Sequence, residues 1–132
     1  MREKTYSIKR EIEMSYADAI MAVTEELKEE GFGVLTKIDV KATLKKKIDQ
    51  EFRDYIILGA CNPELAFGML KEESDIGLLL PCNIVVYESD QLGKTVVAAI
   101  DPVAMLNVTD RVDLVQVATM VKEKLDRVIQ AL

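Results

Sequence analysis

The spacing of apolar residues changes period along this chain, and that change constrains the fold more than any other feature. Tyr6, Ile8, Ile12 and Met14 share one face of a segment whose other face carries Lys9, Glu11 and Glu13. A period of two predicts a half-buried strand. Tyr16, Ile20, Val23 and Leu27 then recur every three or four residues, with Glu25, Glu26, Lys28, Glu29 and Glu30 outside them. That spacing predicts an amphipathic helix of about four turns. Ser15 stands at its N-cap, with Asp18 three residues on as a capping-box variant, and Gly31 stops it.

The same switching continues. Phe32, Val34, Thr36, Ile38 and Val40 alternate and predict a second strand, and Lys41 to Ile48 reads as a short helix. Tyr55 to Cys61 is almost wholly apolar, which predicts a strand buried on both faces. Asn62, Pro63 and Glu64 supply an N-cap, a first-turn proline and a first-turn acid for the next helix, whose stripe is Leu65, Ala66, Met69 and Leu70. Gly77 to Glu88 is a long strand candidate in which Pro81 marks an edge or a bulge. The turn at Asp90–Lys94 makes Ile84 to Ile100 a hairpin. Pro102 to Val108 is irregular or a single helical turn. Asp110 is placed to cap a last helix whose stripe is Leu114, Ala118, Val121, Leu125, Val128 and Leu132. That stripe is expected to pack on the chain's own sheet.

A strict alternation of strand and helix would suit a parallel α/β fold. The hairpin, the clean alternation of the first two strands and the short chain favour α+β instead: two layers, with helices on one face of a mainly antiparallel sheet. The chain has 132 residues and shows no internal repeat, linker or low-complexity stretch, so one domain over residues 1–132 is expected.

Composition removes several function classes. Net charge is −6, which opposes nucleic-acid binding, and the local cluster Lys41, Lys45, Lys46 and Lys47 has no interleaved aromatics. The longest apolar stretch, Ile76 to Tyr87, is too short for a membrane-spanning helix and is broken by Gly77, Pro81 and Asn83. No apolar signal core follows Met1, so a cytoplasmic location is expected. There is no histidine, which excludes Ser-His and Cys-His catalysis and imidazole metal ligands. Cys61 and Cys82 read as free thiols.

Candidate site residues fall in two similar stretches, Ala60-Cys61-Asn62-Pro63 and Leu80-Pro81-Cys82-Asn83. Cys61 precedes a helix start, where backbone amides and the helix dipole favour a thiolate or a bound anion. A ligand site over Cys61, Asn62, Pro63, Cys82, Asn83 and Asp101 is therefore expected, with Cys61 and Cys82 as ligands if it holds a metal such as zinc. Two thiols fall short of a four-ligand zinc shell. The plain alternative is that both cysteines are small buried hydrophobes, and residue types alone favour it. Asp101 before Pro102 is equally explained as a turn starter. Gly31-Phe32-Gly33 lacks the spacing of a phosphate loop and leads into a strand.

Gly31 to Asp39, Leu58-Gly59-Ala60-Cys61-Asn62-Pro63, Leu78-Leu79-Leu80-Pro81-Cys82-Asn83 and Asp101-Pro102, in this order, resemble the family called domain of unknown function 302 (DUF302). The resemblance spans nearly the whole chain and suits a small stand-alone prokaryotic member. It implies helices layered on an antiparallel sheet and a homodimer. It implies no particular activity. It marks Cys61, Asn62, Pro63, Pro81, Cys82 and Asp101 as motif positions.

Three functional readings follow. The first is a homodimeric module that binds a small ligand, anion or metal near the two Cys-Asn stretches. The second is a structural or interaction protein with inert cysteines, meeting its partner through the terminal helix stripe or Leu78 to Val86. The third is a thiol redox or transfer enzyme with Cys61 as nucleophile and Cys82 as resolver. The absence of histidine and of an acid–base pair ranks the enzyme last.

Overall fold

The computed structural model describes residues 6–132. Five strands, β1 (Ser7–Ile12), β2 (Gly33–Asp39), β3 (Tyr55–Cys61), β4 (Cys82–Glu88) and β5 (Thr95–Ile100), form one sheet in the order β1-β5-β4-β3-β2. Every neighbouring pair is antiparallel. The helices are α1 (Tyr16–Glu29), α2 (Val40–Ile48), α3 (Pro63–Glu72), α4 (Pro102–Leu106) and α5 (Val112–Gln130). This is the two-layer α+β arrangement that the patterning implies.

Pairing register decides which side chains share a face. Leu58 pairs with Ile84, Ile84 with Ala99, and Ala99 with Ile8. This face packs on α1 through Ala19, Val23 and Leu27 and on α5 through Val121, Leu125 and Val128. The α5 stripe is thus buried in the chain's own core and is not an exposed partner surface. Met69, Ile76, Leu106, Leu114 and Ala118 form a second apolar cluster under α3 to α5. Arg10 ties the β1 edge to α5 by donating to the carbonyl oxygen of Gln130 at 2.9 Å, where a cation also complements the helix C-terminus.

Local capping follows the sequence at most helix starts. Ser15 accepts from Asp18 N, Asp39 from Ala42 N, and Asn62 from Leu65 N. Gly31 sits at φ +85° after α1, in the region that favours glycine. The last helix differs from expectation. Asp110 adopts φ 56° and does not cap it; Arg111 is the N-cap and makes no side-chain cap bond.

Three further expectations change. β2 does not keep its five alternating residues on one face, because a bulge between Val34 and Thr36 shifts the register by one. β3 is not buried on both faces: Leu58, Gly59 and Ala60 are buried, while Tyr55 and Ile57 are partly exposed on the side away from α1 and α5. An antiparallel sheet tolerates one open face, and an apolar run alone does not disclose it. The strand expected from Gly77 begins only at Cys82. Ser74–Leu79 instead forms a 3₁₀ turn, with Ile76 buried in the second cluster and Leu78 86% exposed. Pro81, without an N–H, stands just before the ladder resumes.

Candidate functional site

The two Cys-Asn stretches come together at neighbouring ends of β3 and β4. Ala60 pairs with Cys82, so Cys61 lies diagonal to Cys82 and out of phase with it along the strand. Both are free thiols, Cys61 half-buried and Cys82 buried. Burial, and then the nearby charge of Cys61, push the Cys82 thiol up to about 11 from an ordinary 9.0. At neutral pH it is therefore a protonated core side chain, not a thiolate. The two cysteines border a cavity of about 20 Å³ with Phe32, Asn62, Leu65 and Pro81. That volume suits about one water molecule.

The side-chain oxygens of Asn62 and Asp101 are already engaged. Asn62 Oδ1 accepts from the Leu65 amide at 3.3 Å. Its Nδ2 stands 3.1 Å from where a Cβ on Gly31 would lie, which joins the end of α1 to the start of α3. Pro63 occupies the first turn of α3. Asp101 Oδ1 accepts from Val103 N at 2.9 Å and Ala104 N at 3.3 Å, starting α4, and its own amide donates to Tyr6 O at 2.8 Å. Gly59 leaves room for its neighbours: a Cβ there would collide with Thr36 Oγ1 and come within 2.8 Å of Pro81 Cγ. Among the described residues, no group of three or more Cys, Asp or Glu side chains is placed to hold a metal ion.

Asn83 is separated from this cluster by strand alternation. Cys82 faces the helices, whereas Asn83 is exposed on the opposite face. There it borders a cavity of about 330 Å³ with Lys9, Tyr55, Val85, Tyr87 and Ile100. The Tyr55 and Tyr87 rings, on directly paired residues, stack with centroids 5.2 Å apart and planes 6° apart. Phe52 lies against Tyr55 at 5.9 Å, tilted by 45°. Burial first, then Tyr87 and Tyr6, raise the Tyr55 phenol above its ordinary value, so it remains a hydrogen-bond donor at neutral pH.

Lys9, Tyr55 and Tyr87 were not singled out by sequence reasoning. The available signal was the alternation Asn83, Val85, Tyr87 against Cys82, Ile84, Val86, which separates two faces once β4 is recognised as starting at Cys82. Tyr55 and Tyr87 share the second face only through register, which no local pattern supplies.

The sequence profile of a family described as domain of unknown function DUF302 matches residues 8–132. A crystal structure of an uncharacterized conserved DUF302 protein from Bacillus stearothermophilus superposes with a TM-score of 0.89 at 27% sequence identity, covering 96% of this chain and 98% of that one. No curated protein matches the sequence. No helix among the described residues is long and apolar enough to cross a membrane.

Proposed function

This chain belongs to the DUF302 family, and on that premise we propose that it is a binding module for a small, mostly apolar molecule seated on the open face of its sheet. The observation that carries this reading is the cavity of about 330 Å³ over the stacked Tyr55 and Tyr87. Small-molecule sites fall in the range of about 300–1,000 Å³ and combine apolar walls with a few polar groups. Asn83 supplies such a polar group from the second Cys-Asn stretch. Cys61, Asn62, Pro63, Cys82 and Asp101 act behind the site, fixing the strand ends and helix starts that hold β3 and β4 in register. A metal held by Cys61 and Cys82 is the weaker reading, because no third protein ligand joins them among the described residues and Cys82 favours its protonated form.

The test is a fluorescence titration with 2-naphthalenemethanol, a flat neutral probe. Saturable binding that is lost in Tyr87→Ala and retained in Cys61→Ser supports the reading. Absence of binding, or loss in Cys61→Ser alone, refutes it.

A homodimer is favoured by a separate observation. Phe67, Leu70 and Leu78 are 63%, 41% and 86% exposed. Phe67 and Leu70 are one turn apart on α3, and Leu70 Cδ2 stands 3.9 Å from where a Cβ on Gly77, the neighbour of Leu78, would be. Exposed apolar clusters of this kind suit contact with a second copy. Sedimentation equilibrium should show a dimer for the parent chain and a monomer for Leu78→Glu.

A further inference from the structure

Building on the open-face site just proposed, we propose that its ligand is a flat aromatic acid, the ring laid against the Tyr55–Tyr87 pair and the carboxylate bound by the Lys9 ammonium. Charge selects the ligand's sign. Among the described residues, Lys9 is the one charged side chain bordering the 330 Å³ cavity. It makes no ion pair among the described residues, whereas Lys94, Arg53 and Arg111 all do. The acid nearest along the same strand face, Glu11, is already met by Lys94 Nζ at 4.0 Å and by the Ser89 hydroxyl. Lys9 pairs with Ala98 midway along the β1 edge of the open face, so its side chain rises beside a small residue that leaves the sheet surface accessible.

The other polar groups around the cavity suit an anion as well. The phenols of Tyr55 and Tyr87 and the amide of Asn83 all offer hydrogen-bond donors. Tyr55 keeps its proton at neutral pH. Among the described residues, no carboxylate borders the cavity to oppose an acid. The net charge of −6 disfavours anions at long range, but charges beyond about 8 Å are largely screened at physiological salt, so the local lysine decides. The planar, stacked tyrosines select the ring. Aromatic faces prefer offset or edge contact with another aromatic, and the pair with Phe52 presents a broad apolar platform.

The experiment compares 2-naphthoate with 2-naphthalenemethanol, which share a ring system and differ in charge, on the parent chain, Lys9→Met and Lys9→Arg. The parent should bind the acid at least about tenfold more tightly, the size expected of one charge-assisted hydrogen bond. Lys9→Met should level the two probes, and Lys9→Arg should restore the preference. Equal binding of both probes by the parent, or a preference unchanged in Lys9→Met, overturns the acid assignment while leaving the open-face site standing. Binding of neither probe overturns the site and the assignment together.

Discussion

β3 and β4 border two regions that differ in how their side chains are used. At one end, around Cys61 and Cys82, space is closed to about 20 Å³ and the side chains of Asn62 and Asp101 start helices. On the other face, around Tyr55 and Tyr87, about 330 Å³ stays open, bordered by Lys9 and Asn83. A noticeable motif can stand where space is closed, while a strand face without one leaves space open. The Cys-Asn stretches lie beside the closed space, and the opposite face leaves the larger of these two spaces open.

Substitutions should separate the regions, strongly at the closed end and weakly at the open one. Gly59→Val forces a branched side chain between Thr36 and Pro81. It should lower unfolding free energy by about 3 kcal/mol, read from the urea midpoint. A loss below about 1 kcal/mol would break the claim that Gly59, Thr36 and Pro81 are closely packed where β2, β3 and β4 meet.

Cys82 gives a pH signature of the same packing. Its folded pKa of about 11 lies above the ordinary 9.0, so its contribution is complete below pH 9 and is lost as pH rises through 11. Going from pH 8.5 to 10.5, the parent should lose about 2 kcal/mol more stability than Cys82→Ala. Parallel curves for the two proteins would mean that the thiol ionises as freely in the fold as outside it.

Asp101→Ala removes the bonds to Val103 N and Ala104 N and should cost about 1 kcal/mol, the usual size of a lost N-cap. Probe binding should survive, since the carboxylate serves the helix. Tyr87→Ala should cost a comparable amount, about 1 kcal/mol from loss of the ring stack, yet here probe binding should disappear. The reverse pattern, binding lost in Asp101→Ala and kept in Tyr87→Ala, would exchange the roles of the two regions.

Much of the framework was legible in the sequence because it is local. Ser15, Asn62-Pro63 and Gly31 mark helix ends through their own backbone chemistry, and the α5 stripe repeats at helical spacing. What escaped is non-local. The bulge at Leu35 reverses the face of Thr36 and Ile38 without any glycine or proline to announce it. The open side of β3 looked buried because Ile56 and Ile57 are equally apolar, though one faces α1 and α5 and the other does not. The cavity joins Lys9 to residues 46 to 91 positions further along the chain, and only the pairing of β1 with β5 and β5 with β4 brings them together.

The most direct test of where this protein binds is an amide NMR titration of the parent chain with 2-naphthoate. Shifts concentrated at Lys9, Val85, Tyr87 and Ala98 are predicted. Shifts concentrated from Cys61 to Leu65 and at Cys82, with the open face unmoved, would contradict the account and return the site to the cysteines.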